Sequence, residues 1–373
     1  MAYQSVRVAF HAHDYSAECA SNRLRLFKPM QALRDMGFVV GRHDPALAIE
    51  NYDCIVLSRA FSKQALKVAL AAKSAGRPVI VDMCDNLFAL SDHFGFRGRC
   101  DRLRELIGIA DIVTAPTAKM ASQLQGHVPK ANGRFRIVPD ALEIMPGDTT
   151  DPQGLAGLDR FQRRHDGALH CAWYGSSAGQ LSGFAHLDRA LDALALFSKT
   201  HPVTLTVISD NRLRYWLARR NWRVPTHYLP FRSSNFAAAL ARHDVAIIPV
   251  GENGYTRGKS INRAATAVMA GLGVVADPLD SYEELRPWVA LGDWQAGLAR
   301  YAARPPASDP DLAAARQHLE RRYGHAAVGM RWAHVIAEVT RARPGLAEPV
   351  FPLPARHAGE LAGELADNPA DAA

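Results

Sequence analysis

Short apolar, β-prone runs alternate with segments of helical period along most of this chain, and no other feature restricts its fold as tightly. Strands that are apolar on both faces must be covered on both sides, so the alternation points to parallel βαβ units with helices flanking a sheet. In the first half, strands are expected at Val6–Phe10, Phe38–Gly41, Cys54–Ser58, Pro78–Asp82, Ile112–Ala115 and Arg136–Val138. Helices are expected between them at Ser21–Met36, Ser62–Ala75, Gly98–Ile109 and Thr117–Gln125.

The polar, turn-rich stretch DTTDPQGLAG at 148–157 interrupts this rhythm and reads as a linker. The alternation then restarts, with strands at Leu169–Tyr174, Thr204–Ser209, Thr226–Leu229, Val245–Val250 and Val274–Ala276. The matching helices fall at Leu181–Lys199, Arg212–Asn221, Ser234–Arg242, Asn262–Ala270 and Tyr282–Arg286. A length of 373 residues suits two such domains at roughly 150 residues each. The expected division is 1–147, a linker at 148–160, and a second domain at 161–324. Two more helices follow in Asp309–Arg341, and 344–373, with five prolines and eight alanines, reads as a disordered tail.

Lys plus Arg number 44 against 37 Asp plus Glu, and the tail holds five acids against one base, so residues 1–343 carry +11. Such a body favours an anionic partner: a nucleotide, a lipid phosphate, a membrane surface or nucleic acid. Basic residues do not gather with interleaved aromatics on one segment, which argues against nucleic acid. The five cysteines, 19, 54, 84, 100 and 171, form no CxxC or Cys/His pattern. With no apolar run near the roughly 18 residues of a membrane span and no leader-like N-terminus, a cytoplasmic protein is expected.

In doubly wound sheets, ligands bind beyond the carboxyl ends of the strands, and four loops there carry chemistry. The turn Gly175-Ser176-Ser177 follows the strand HCAWY and is expected to open a helix, where backbone N–H groups can meet a phosphate; the same serines could equally act as a cap. After DVAIIPV, the stretch Arg257-Gly-Lys259-Ser260-Ile-Asn262-Arg263 brings three cations and several donors to a helix start, which suits anionic oxygens. A Walker loop would need glycine at Asn253, so the register excludes one. Asp82-Met-Cys-Asp85-Asn86 ends another strand, and its carboxylates can bind sugar hydroxyls, act as a base, hold a divalent cation or cap the next helix. Finally, His11, His13 and Asp14 follow the first strand, with Arg23 and Arg25 on the next helix; these histidines can act as bases or be plain polar loop residues.

Taken in order, VRVAF, VIVDMCDN, ADIVTAPTAKMASQL, RIVPDALE, WYGSSAG, LARHDVAIIPV and AVMAGLGVVAD resemble segments of the GT-B glycosyltransferases, specifically the family-4-like group, over about residues 5–340. The resemblance implies an α/β protein of two Rossmann-like, doubly wound domains facing across a cleft, the acceptor on the first and a nucleoside diphosphate sugar on the second. It also implies a last helix, 325–343, that crosses back to the first domain. By position, Gly175, Ser176 and Ser177 match the family's diphosphate turn, Arg257 and Lys259 its basic pair, and Asp85 the aspartate of its His-Asp, with Cys84 at the histidine. The family's paired glutamates fall on Gly258 and Thr266 here.

The implied activity is hexosyl transfer from a nucleotide sugar to a hydroxyl, in cell-envelope polysaccharide or glycoconjugate synthesis. Donor contacts are expected from Gly175, Ser176, Ser177, Asp210, Arg257, Lys259, Ser260 and Asn262, and acceptor contacts from His11, Arg23, Asp82 and Asn86. Asp85, His13 or Asp14 would handle the acceptor proton. No metal and no cofactor beyond the donor is expected, and the acceptor would be a saccharide or lipid-linked. Two alternatives are an epimerase acting on nucleotide sugars and a non-catalytic anionic-surface binder. For the latter, Arg97, Arg99, Arg102 and Arg104 beside Phe94 and Phe96 would meet the inner face of a membrane.

Overall fold

The computed structural model describes residues 6–341, apart from 94, 146, 147, 149, 150, 178 and 180 and the side chain of 307. The expected tail at 344–373 and Phe94 lie outside them. Two parallel six-stranded sheets are present. The first is built from β1 (Arg7–Ala12), β2 (Val39–Arg42), β3 (Cys54–Ser58), β4 (Val79–Asp82), β5 (Ile112–Ala115) and β6 (Phe135–Ile137), in the order β2-β1-β3-β4-β5-β6. The second is built from β7 (Leu169–Tyr174), β8 (Val203–Ser209), β9 (Thr226–Pro230), β10 (Val245–Ile248), β11 (Gly273–Ala276) and β12 (Ala290–Leu291), in the order β12-β11-β10-β7-β8-β9. Central strands are buried residue by residue, as in β3 and β8, because helices cover both faces. The order reverses between β1 and β3 and again between β7 and β10, and these two reversals place the loops that matter.

Local chemistry starts several of the helices. Ser62, Thr117, Asn211 and Asp293 each accept a hydrogen bond from the backbone N–H three residues on. One face of the first sheet carries Lys63–Ser74, Arg97–Ile109 and Ala118–His127. The other carries Lys28–Asp35 and the last helix, His325–Arg341, whose Trp332 is fully buried edge-on to Phe10 at 5.7 Å. The chain thus returns to its first sheet after Pro310–Tyr323 has packed on the second core.

Four local expectations need correction. The Gly175 turn does not open a helix; a 3-10 turn at Gly183–His186 and then Leu187–Phe197 begin later. Ala156–Arg164 is a helix whose Leu158 enters the second core, so the end of the polar stretch folds instead of linking. Tyr282–Arg286 is a 3-10 run, Asp280–Leu285. Trp294–Ala303, started by the Asp293 cap, is a helix where none was expected.

Candidate active site

The carboxyl ends of both sheets face one another across a cavity of about 170 Å³. From the first sheet come Ser21, Leu24 and Arg25 after β1, Cys84 and Asp85 after β4, and Asp140 after β6. From the second come Ser182, Gly183 and His186 after β7, Lys259, Ser260, Asn262 and Arg263 after β10, and Tyr282 after β11.

On the first side, Arg25 sits just inside a π-helical turn, Arg23–Phe27, and is 1% exposed. Its guanidinium is ion-paired with Asp82 and lies 3.2 Å from Asp140. Asp82 also accepts from Ser58 at 3.1 Å and Thr114 at 2.6 Å. A buried cation with two carboxylates and satisfied hydroxyls is a rigid post, because removing either partner would strand a charge. Asp140 then reaches the second domain, accepting from Ser260 Oγ. Asp85 forms an ion pair with Lys259, whose ammonium lies 4.3 Å from the Tyr255 ring centre. Burial lowers the Lys259 pKa, but Asp85, together with Tyr255 and Cys84, more than offsets it and the net direction is up.

On the second side, Arg263 is placed by the first turn of the Asn262–Met269 helix. Its guanidinium lies across Gly175, where a Cβ would approach to 2.6 Å, and close to Gly183. Among the described residues it has no carboxylate partner within ion-pair distance. Beside it, the Gly251 N–H donates to His186 Nδ1 at 3.0 Å, which leaves Nε2 to carry the ring proton. Burial, helped by Arg263 and Arg189, lowers the His186 pKa, so the ring is neutral near pH 7.

The structure places Asp85, Lys259, Ser260 and Asn262 in the cavity lining and Gly175 against the lining Arg263, and leaves the other expected residues out of the lining. Arg257 is exposed and paired with Glu252 at 2.8 Å, so the cation beside Gly175 is Arg263 instead. Asp210 faces the loop: it accepts from Ser176 Oγ at 3.0 Å and from the Ser177 N–H at 2.9 Å, and so holds the turn in shape. These bonds also draw the Asp210 pKa down against the effect of burial. Asp82 is 0% exposed and engaged as Arg25's counter-ion, which removes it from acceptor contact. Asn86 donates to Gly254 O at 3.0 Å, bridging the halves. Arg23 pairs with Glu143 at 2.5 Å and covers the Phe231 ring at 5.1 Å. His11 is turned toward His43 at 5.4 Å, and burial holds it at about 4. Asp14 accepts from the Ser16 N–H at 3.0 Å and Asn22 Nδ2 at 2.7 Å, while His13 is exposed; neither lines the cavity.

Two further observations bear on the expectations. A Cβ on Gly258 would stand 2.5 Å from Gln123 Oε1 and 3.1 Å from the Met120 backbone, so a side chain at the position of the family's first glutamate would have to displace Gln123 and shift its neighbours. Thr266, at the second, is 2% exposed and bonds back to Asn262 at 3.2 Å. Of the basic cluster at 97–104, Arg104 is paired with Asp101 at 2.7 Å, Arg102 donates to Phe61 O at 3.1 Å, and Arg99 covers Phe96 at 5.3 Å. Sequence reasoning missed Arg263 as a site residue, although it ends the very motif singled out; it missed Asp140, although it stands in the segment RIVPDALE, and it missed His186, at the end of the 3-10 turn Gly183–His186, where no motif points to it.

No protein-family model matches the chain, and no curated protein matches it. Solved structures do. A glycosyltransferase from Rickettsia africae superposes with a TM-score of 0.61 at 11% identity, over 91% of this chain and 100% of that one. HepE of Anabaena, solved with UDP and glucose, gives 0.56 at 15% identity, over 89% and 99%. The E. coli trehalose-6-phosphate structure bound with UDP-2-fluoro glucose gives 0.53 at 12%, over 78% and 74%. With two parallel six-stranded sheets whose carboxyl ends enclose one cleft, the chain has the two-domain α/β fold of the GT-B glycosyltransferases.

Proposed function

We propose that this chain transfers a sugar from a nucleoside diphosphate sugar to a hydroxyl of a saccharide or lipid-linked acceptor, in the making of a cell-envelope polysaccharide or glycoconjugate. The observation that carries the reading is Arg263: a guanidinium without a carboxylate partner among the described residues, placed over Gly175 at the switch between β7 and β10, and aimed into the cleft. An uncompensated cation there suits a diphosphate. The fold shared with enzymes solved with UDP supports the same class of donor.

Sugar transfer puts positive charge on the anomeric carbon and negative charge on the departing diphosphate. Arg263 and Lys259 stabilise that departing charge, the neutral His186 offers an N–H, and the start of the Asn262–Met269 helix adds its dipole. Fixed cations supply the charge a divalent metal would otherwise bring, so transfer is expected to persist in a chelator. Asp85, released from Lys259 when phosphate takes its place, accepts the acceptor's hydroxyl proton.

Thermal unfolding with UDP, GDP, dTDP and their sugar derivatives tests donor binding, because a ligand held only by the native state raises Tm. Arg263→Ala should lose that shift and about 10²-fold or more in nucleotide release during turnover, with an unchanged melt in buffer. No shift with any nucleotide, or full activity of that variant, removes the reading. Free epimerised nucleotide sugar formed without acceptor would replace it with the epimerase alternative.

A further inference from the structure

Seven large apolar side chains are exposed among the described residues, and three of them stand within five positions of each other: Leu213 at 69%, Trp216 at 48% and Leu217 at 58%. Singly such residues are ordinary; together they form a ridge on the Arg212–Ala218 helix. Arg212, Arg219, Arg220 and Arg223 are exposed around it, and Arg219 lies 4.7 Å from the Trp216 ring centre. From 211 to 243 the chain carries seven arginines and no acid. Asp210, the acid just before the ridge, is turned back onto Ser176 and Ser177.

The orientation of the ridge is built in. Tyr215, 2% exposed, anchors the opposite face by a 2.9 Å hydrogen bond with Thr226 Oγ1. Arg214 donates to the Ser177 carbonyl and covers the Phe184 ring at 5.2 Å. The leucines and Trp216 therefore have no inward position to take up, and they project beside the sheet edge formed by β9.

We propose that this ridge seats the protein on an anionic lipid surface, with Leu213, Trp216 and Leu217 entering the headgroup boundary and the surrounding arginines on lipid phosphates. Three protruding side chains on one short helix fall far short of the roughly 1,200 Å² that a stable protein interface buries. A bilayer asks only for shallow apolar insertion and adds electrostatic attraction for each arginine, and the segment 211–243 itself brings no acid to oppose it. The surface lies on the second domain, apart from the 97–104 cluster, whose arginines are largely engaged. Because Arg214 ties the ridge to the Ser176–Ser177 turn, docking would bring the mouth of the cleft beside the lipid. The inference stands without the transfer reading, since vesicle binding is read with no donor present.

The test is co-sedimentation of the full chain with vesicles of phosphatidylcholine alone or with one third phosphatidylglycerol, at low salt. Binding to the anionic vesicles should exceed that to the neutral ones at least tenfold. It should fall at least tenfold in R212Q/R220Q/R223Q and, separately, in L213S/L217S, both melting like the parent. R97Q/R99Q should bind as the parent does. Equal partition on the two vesicle types, or binding weakened by R97Q/R99Q and not by the ridge variants, overturns the proposal. So does a self-associated form that L213S/L217S disperses in a protein that ignores vesicles, which would give the ridge to a second copy.

Discussion

Arg257 and Arg263 are six positions apart in one motif and differ in the company they keep. Glu252 neutralises the first, while the second lies against Gly175 and Gly183 and near an imidazole whose protonation it opposes. Histidine burial has a wider consequence at this scale. His243 is 7% exposed, and burial pushes it down to about 4, as it does His11. A histidine lowered in the folded state binds fewer protons there than in the unfolded chain, so its stabilisation is full above about 6.5 and is lost as pH falls toward 4. Urea unfolding should show stability declining across that window by up to about 3 kcal/mol from the fully buried His243, and by less from the partly exposed His11. His243→Gln should flatten the decline, and an unchanged slope would assign it to other groups.

At the scale of elements, the returning helix His325–Arg341 completes a face of the first sheet that its own helices leave open. Trp332 is its main contact, packed on Phe10 and 5.9 Å from the buried Arg25 guanidinium, so the helix also shelters the post that supports Asp82 and Asp140. Trp332→Ala is expected to cost about 3–5 kcal/mol in denaturant unfolding, as for other buried aromatic truncations. A loss below about 1 kcal/mol would show that the helix is not part of the core.

At the scale of the whole molecule, a set of polar contacts closes the cleft. Lys259 with Asp85, Ser260 with Asp140, Asn86 and Gln123 with the Gly254 carbonyl, and Thr117 with the Gly258 carbonyl all cross it. If the cleft takes a nucleoside diphosphate as proposed, Asp85 would compete with it for the Lys259 ammonium. Asp85→Asn should tighten nucleoside diphosphate binding by about fivefold in calorimetry, the equivalent of roughly 1 kcal/mol, while transfer slows because the proton acceptor is gone. Unchanged affinity would mean that Lys259 stays on its own side when donor binds.

Much of this architecture is written locally. Alternating apolar runs made eleven of the twelve described strands legible to within a residue or two, and β3, β5 and β7 match their expected bounds, since strands buried on both faces leave a largely continuous apolar signal; the two-residue edge strand β12 was not expected. The helix starts at Ser62 and Thr117 were equally readable, and the cavity lies, as expected for a doubly wound sheet, beyond the carboxyl ends of the strands. The roles of individual charges were not. Lys259 meets Asp85 from 174 positions away, and Ser260 meets Asp140 from 120, so a motif alone does not reveal which cation is spent on a carboxylate and which faces the cleft. Composition and periodicity act over a few residues and determine the elements and their order. Charge pairing acts over a few ångströms in space: packing inside each domain decided that Asp82 is taken by Arg25 while Arg263 is left without a carboxylate among the described residues, and the approach of the two domains decided the Lys259–Asp85 and Ser260–Asp140 pairs.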